Sequence, residues 1–102
     1  MMVHTVLFWL KAELSPDDIA LFERGLRSLT AISTVIFSSI GKPAPTRRPV
    51  IDSSYSYKLV VGFVDLAGHD FYQAVDTHVA FLDQCGTFWH TVKIYDSLET
   101  SS

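Results

Sequence analysis

Tyr72 and His78 are the two side chains of this sequence best suited to act together in acid–base chemistry. A histidine can accept a proton near neutral pH, and a tyrosine hydroxyl can donate a hydrogen bond to a carbonyl that becomes an enolate. On a straight helix, a spacing of six residues places two side chains about 240° apart around the axis, on different faces. The pair therefore requires a break in the helix between residues 72 and 78.

Three roles are open for this pair. A hydrogen bond between Tyr72 and His78 could hold the helix break, because buried polar groups need partners. The two side chains could instead line a pocket for a small molecule, or they could catalyse a reaction of a carbonyl compound. His4, on a mostly apolar stretch, could be a core residue or part of the pocket. Trp89 and Phe88 could pack in the core or form a wall of the pocket.

The histidines and the single cysteine do not indicate a metal site. His4, His69, His78 and His90 form no cluster with ligand spacing, and no Asp-x-Asp loop occurs. A glycine-rich phosphate loop and a Gly-x-Ser-x-Gly turn are also missing. Cys85 cannot form an internal disulfide, and we expect it to be a small buried apolar side chain. We therefore expect neither a bound metal nor a cofactor.

The composition describes one small domain with unusually little charge. The 102 residues include 48% hydrophobic and 19% charged side chains, with a net charge of −3. The sequence has no basic patch that would indicate nucleic-acid binding, and it has no run of about 18 apolar residues that would indicate a membrane span. A start without a basic segment and a lone cysteine favour a cytoplasmic protein. We predict a single domain over residues 1–98 and a short polar tail over residues 99–102.

Along the chain, segments with the residue pattern of strands and segments with the apolar periodicity of helices follow one another in the order β-α-β-β-α-β. Strands are predicted at 3–11, 33–40, 55–65 and 88–96, and helices after Ser15-Pro16 and over 67–84. The second helical segment contains Asp76-Thr77, and Asp76 is a suitable cap for a helix that restarts there. In the last strand, we expect Trp89 to share a face with Thr91, Lys93 and Tyr95.

Two β-α-β units with right-handed crossovers predict an α+β fold, in which a four-stranded antiparallel sheet carries both helices on one face. The first strand is apolar on both faces, with Val3, Leu7 and Trp9 on one side and Val6 and Phe8 on the other. A second copy of the chain is the simplest cover for the face without helices. The sequence therefore predicts a homodimer, with any pocket on the opposite side, between the sheet and the broken helix.

The whole pattern resembles the stress-responsive dimeric α/β-barrel (Dabb) family. The resemblance rests on the order of five pieces, namely residues 3–11, Ser15-Pro16, the Tyr55–Tyr57 strand, residues 72–81 and residues 89–96. It implies a ferredoxin-like monomer that pairs through its sheet into a dimeric barrel. Many members have no assigned activity. Together with the near absence of catalytic motifs and the apolar strand faces, the resemblance implies a stress-related homodimer that could bind an apolar or aromatic small molecule without turnover.

The same resemblance implies an alternative, an enzyme of the cyclase or isomerase kind. One plant member closes a linear polyketide, and its acid–base pair is similar to Tyr72 and His78, with a pocket histidine where His4 stands. This chain departs from the family's His-Pro-x-His pattern at residues 75–78 and keeps only the last histidine. By analogy of fold alone, a cofactor-free monooxygenase is a more distant alternative.

Overall fold

The computed structural model describes residues 1–100, and residues 101 and 102 of the predicted tail lie outside the described part. Within residues 1–100, four strands and three helices follow in chain order. Their bounds are β1 Met2–Leu10, α1 Pro16–Thr30, β2 Phe37–Gly41, β3 Tyr57–Phe63, α2 Leu66–Ala74, α3 Asp76–Cys85 and β4 Trp89–Leu98. The strands form one antiparallel sheet in the order β2-β3-β1-β4, which confirms the predicted ferredoxin-like α+β fold.

Helix α1 begins where the sequence predicts. The Ser15 hydroxyl accepts a hydrogen bond from the backbone N–H of Asp18, and the Asp18 carboxylate accepts one from the N–H of Ser15. This reciprocal capping box satisfies two backbone donors that the first turn leaves free. Phe22, Leu26 and Leu29 then face the sheet and are buried, as their spacing predicts. The helix is therefore anchored at its start and along one apolar stripe.

The strand register determines which side of the sheet the helices cover. On β1, His4, Val6 and Phe8 are buried beneath the helices, whereas the residues between them are only partly covered. Each buried residue of β1 lies opposite a buried residue of β3, for example His4 opposite Val61 and Val6 opposite Leu59. One face of the sheet thus belongs to the core, and the other face carries no helix.

The long second helical segment is broken at Val75. Val75 has an extended backbone, with φ −71° and ψ 156°, between the end of α2 and the start of α3. The predicted break is therefore present one residue before Asp76. Asp76 is the first residue of α3 and not its cap, and Val75 caps the helix without any side-chain hydrogen bond. The prediction of Asp76 as a cap was wrong, because the Val75 backbone already makes the turn.

The second strand is shorter than the sequence predicts. Residues 33–36 are β-branched or small, but they form the turn that leads out of α1, and the strand begins only at Phe37. The Thr34 hydroxyl donates to the backbone carbonyl of Gly68, at a distance of 2.8 Å, and so ties this turn to α2. Strand propensity was overridden here by a tertiary contact that the local sequence does not reveal.

Trp89 does not share a face with Thr91, Lys93 and Tyr95, contrary to the sequence prediction. The register between β1 and β4 shifts at Trp9/Leu10, where Trp89 lies opposite Leu10 and Thr91 opposite Trp9. This bulge places Trp89 on the helix side, where its ring centroid lies 5.0 Å from that of Phe8. Because an inserted residue reverses the alternation of side chains, a strict period of two assigned Trp89 to the wrong face.

In the part of the chain that the structure describes, no helix is both long and apolar enough to span a membrane.

Candidate functional site

A cavity of about 250 Å³ lies between the sheet and the broken helix. Its apolar wall includes Phe8, Leu59 and Trp89, and its polar wall consists of His4, Tyr72, Gln73 and His78. The structure thus brings together four of the five predicted site residues, His4, Tyr72, His78 and Trp89. Phe88 does not line this cavity, because it is partly buried against the hydrophobic core.

The cavity opens between α3 and β4. Leu82 on α3 and Val92 and Ile94 on β4 line it, and these side chains are 47%, 40% and 52% exposed. Strand β4 is an edge strand, and the helices do not cover its outer part. The mouth of the cavity is therefore apolar and accessible to solvent.

The break at Val75 turns Tyr72 and His78 towards the same space. Tyr72 is 1% exposed and His78 is 9% exposed. Their ring centroids lie 5.1 Å apart with an angle of 71° between the planes, which is an edge-to-face contact. A straight helix would have separated the two side chains, so the extended backbone of Val75 is what creates the pair.

The Nδ1 atom of His78 is buried and has no hydrogen-bond partner. Leaving such an atom unpaired costs about 1–3 kcal/mol. Burial lowers the pKa of His78 from 6.5, and the nearby charges of His4 and His69 lower it further. His78 is therefore neutral at neutral pH and can accept a proton or a hydrogen bond. The Nδ1 atom of His78 therefore takes no part in the hydrogen bond to Tyr72 that the sequence left open as one role of the pair.

Burial raises the pKa of Tyr72, so its hydroxyl remains protonated at any physiological pH. The ring is held by edge-to-face contacts with Phe63, His4 and His78, at centroid distances of 5.1, 5.8 and 5.1 Å. A protonated phenol in a fixed orientation is a hydrogen-bond donor. Tyr72 and His78 therefore offer a donor and a neutral base at the wall of one cavity.

His4 is paired with Asp96, which the sequence reasoning did not single out. The His4 Nδ1 and Asp96 Oδ1 atoms lie 2.5 Å apart. Because an ionised carboxylate only accepts hydrogen bonds, Nδ1 carries the proton and Nε2 holds a lone pair. Burial lowers the pKa of His4, and this effect exceeds the opposing effect of Asp96. The two residues are 92 positions apart, and only the pairing of β1 with β4 brings them together.

His69 joins the same region from α2. Its ring centroid lies 5.0 Å from that of His4. One candidate ligand atom from each of His4, His69 and Asp96 lies within 4.8 Å of the others. The sequence had shown no histidine cluster, because these three residues come from three separate elements. The spacing of the histidines therefore carried no signal for this arrangement.

Comparison with known proteins gives one family. The model of the stress responsive A/B barrel domain, Dabb, matches residues 2–98 of the chain. No curated protein sequence matches the chain at a significant level.

Solved structures show the same architecture. The crystal structure of At3g17210 from Arabidopsis thaliana has a TM-score of 0.81 and 21% identity, covering 100% of this chain and 98% of that one. A Dabb family protein with a ferredoxin-like fold from Mesorhizobium loti has a TM-score of 0.77 and 25% identity, covering 98% and 97%. A dimeric ferredoxin-like protein of unknown function from Thermobifida fusca has a TM-score of 0.75 and 18% identity, covering 94% and 88%.

Proposed function

This chain belongs to the stress responsive A/B barrel domain family, and from that premise we propose that it binds an apolar or aromatic small molecule with a polar end. The ligand would occupy the cavity between the sheet and the broken helix. Its apolar part would contact Phe8, Leu59 and Trp89, and its polar end would face Tyr72 and His78.

The unpaired Nδ1 atom of His78 is the observation that carries this proposal. Buried polar atoms are rarely left without partners, so an unpaired nitrogen on a side chain that lines the cavity favours a bound group that completes it. The cavity, at about 250 Å³, lies just below the roughly 300–1,000 Å³ of pockets for drug-sized ligands. A single substituted aromatic ring suits this volume and the mostly apolar wall.

A binding titration with acetophenone and its hydroxylated derivatives tests the proposal. We expect the indole signal of Trp89 in NMR spectra to shift on binding, since Trp89 lines the cavity. His78→Leu should weaken binding of the derivatives with a hydroxyl donor, and His90→Leu serves as a matched control because His90 is exposed. Equal affinities in both variants and the unaltered chain, or no shift at Trp89, would contradict the proposal.

A second function, an acid–base enzyme of the cyclase or isomerase kind, is supported by the same pair. The neutral imidazole of His78 would take a proton from the carbon next to a carbonyl group. Tyr72 would donate a hydrogen bond to the enolate oxygen that forms. The enolate carbon could then attack a second carbonyl of the same molecule, or regain the proton from His78 at another carbon.

Hydrogen–deuterium exchange of an aromatic ketone in D₂O tests the first step of that reaction without requiring the natural substrate. The unaltered chain should accelerate exchange of the methyl protons of acetophenone beyond the buffer rate. His78→Leu should abolish the acceleration, and Tyr72→Phe should reduce it while leaving ketone binding measurable. Exchange at the buffer rate in the unaltered chain, with ketone bound, would leave the binding function alone.

The homodimer predicted from the sequence is part of this proposal. Val3, Thr5, Leu7 and Trp9 on the face without helices are partly exposed, which suits contact with a second copy. The Thermobifida fusca protein of similar fold is described as dimeric. Sedimentation at micromolar concentration should give twice the chain mass, and Thr5→Lys, which places a charge in the middle of this face, should shift it towards the monomer. A monomer mass for the unaltered chain would contradict the dimer.

Residues 1–98 as the folding unit and a cytoplasmic location also remain proposals. Removal of residues 99–102 should preserve the cooperative unfolding transition. In the described part of this tail, the backbone hydrogen bonds outside helices and strands include only one from it, from the Glu99 N–H to the Met1 carbonyl.

A further inference from the structure

His4, His69 and Asp96 form a cluster of three side chains of the types that bind metal ions. They come from β1, α2 and β4, and one candidate ligand atom of each lies within 4.8 Å of the other two. Their exposure increases across the cluster, since His4 is 3% exposed, the side chain of His69 16% and that of Asp96 43%. The cluster therefore has a buried side and a side that solvent can reach.

The charge of this cluster suits a cation. With both imidazoles in their neutral form, the two histidines and one carboxylate carry a net charge of −1. Among residues 1–100, Asp96 forms an ion pair with His4 and with no lysine or arginine. No positive side chain therefore neutralises Asp96 within the cluster, and an incoming cation would meet no repelling charge there.

We propose that His4, His69 and Asp96 form a binding site for one divalent first-row transition ion, with Zn²⁺ as the best match. Two imidazole nitrogens and one carboxylate oxygen are a ligand set that zinc accepts, with solvent or a bound molecule in the fourth position. Calcium and magnesium are disfavoured, since they prefer oxygen ligands alone.

Binding requires a small rearrangement of the pair between His4 and Asp96. Their atoms are now 2.5 Å apart and share a hydrogen atom, whereas two ligands of a tetrahedral zinc ion are separated by about 3.4 Å. The proton of His4 Nδ1 would move through solvent to Nε2, so that Nδ1 becomes the ligand and the ring stays neutral. Asp96 lies on an edge strand with a half-exposed side chain, so its carboxylate has room to turn.

His69 needs to give up one weak contact to bind the ion. Its Nδ1 lies 3.2 Å from Asp70 Oδ1, and its Nε2 lies 3.3 Å from the amide nitrogen of Gln73. Both distances exceed the usual length of such hydrogen bonds, about 2.9–3.0 Å, so breaking either contact costs little free energy. The remaining contact would then orient the ring, as outer partners of ligand histidines commonly do.

Calorimetric titration of the chelator-treated full chain with ZnCl₂ tests the site. We expect one Zn²⁺ per chain, and His69→Gln and Asp96→Asn should each weaken binding by at least about tenfold. His90→Gln is the matched control, because His90 is exposed and outside the cluster, and its affinity should equal that of the unaltered chain. His4 is not replaced, since it is buried in the core side of β1.

Two further readings make the outcome unambiguous. Thermal melting without metal should show that all variants are folded, and Zn²⁺ should raise the melting temperature of the unaltered chain and of His90→Gln more than that of His69→Gln or Asp96→Asn. The proposal is overturned if the chain binds no Zn²⁺, if His69→Gln and Asp96→Asn bind it as tightly as the unaltered chain, or if His90→Gln loses it. Binding of aromatic ketones without metal is measured separately, so this site and the proposed function can fail independently.

Discussion

The space between the sheet and the helices has two ends that differ in packing and polarity. At the aromatic end, the rings of Phe8, Phe22, Phe81 and Trp89 contact one another at centroid distances of 5.0–6.3 Å. At the histidine end, His4, Tyr72 and His78 line the cavity, and His69 and Asp96 lie beside His4. One end is filled by side chains, and the other keeps space and polar atoms together.

The difference separates close apolar packing from polar side chains within one small layer. Aromatic pairs contribute about 0.5–1.5 kcal/mol each beyond their buried area, and the three phenylalanines of this end carry no polar atom that needs a partner. The histidine end gives up such packing, and it leaves the His78 Nδ1 atom without a partner. Changes at the aromatic end should therefore act on folding, and changes at the histidine end mainly on binding.

The largest effect is expected from Phe22→Ala. Phe22 is fully buried, and its ring contacts Phe8 at a centroid distance of 5.1 Å and Tyr57 at 5.3 Å. The cavity left behind should lower the free energy of unfolding by about 3–5 kcal/mol. Urea denaturation measures this loss. Phe71→Ala is the matched control, because Phe71 is 46% exposed, and its loss should stay below about 1 kcal/mol. Similar losses in both variants would remove the distinction between the two ends.

Gly25→Ala should have the next largest effect. A Cβ atom at Gly25 would lie 2.7 Å from Cδ1 of the buried Phe81, where α1 crosses α3. Overpacking of this kind costs about 1–3 kcal/mol, which exceeds the gain of about 1 kcal/mol from replacing a helical glycine. Gly41→Ala, with no atom within 4 Å of its added Cβ, should change stability little. A more stable Gly25→Ala variant would show that the aromatic end is not closely packed.

His78→Leu tests the opposite end and should change stability in the other direction. Removing the unpaired Nδ1 atom should raise the free energy of unfolding by about 1 kcal/mol, while the affinity for hydroxylated acetophenones falls. His4→Leu provides the contrast, because it removes the hydrogen bond between His4 and Asp96 and should destabilise the chain. Equal losses of stability in both variants would mean that His78 is an ordinary, satisfied core residue.

The smallest effect is expected from pH. His4 and His78 both have a pKa below 6.5 in the folded chain, mainly because of burial. The unfolded chain therefore takes up protons at a pH where the folded chain does not, and stability must fall as the pH drops below about 6.5. Asp96 raises the pKa of His4 and so moderates this fall, whereas His69 lowers that pKa further and adds to it. Urea midpoints between about pH 7.5 and pH 5.5 should decrease, and less so in His78→Leu; a flat profile would contradict the burial of both histidines.

Local patterns predicted most of the fold correctly. Ser15-Pro16 indicated the start of α1, the pattern of residues 3–11 indicated β1, and Asp76-Thr77 within residues 67–84 indicated an interrupted helix. Capping and alternation depend on neighbours within a few residues, so they can be read from one sequence. The predictions failed where a distant contact intervened, as at the turn before β2 and at the bulge that redirects Trp89.

By itself, the sequence determined the order of the elements, the helix break and the presence of Tyr72 and His78 on either side of it. The tertiary structure alone decided what meets at the histidine end. Asp96 lies opposite His4 because the edge strand β4 pairs with the inner strand β1 in this register. His69 reaches the same place from α2. Such contacts depend on which residues of separate elements are paired, and a shift of one position would have turned these side chains to the other face. No spacing along the chain records that choice.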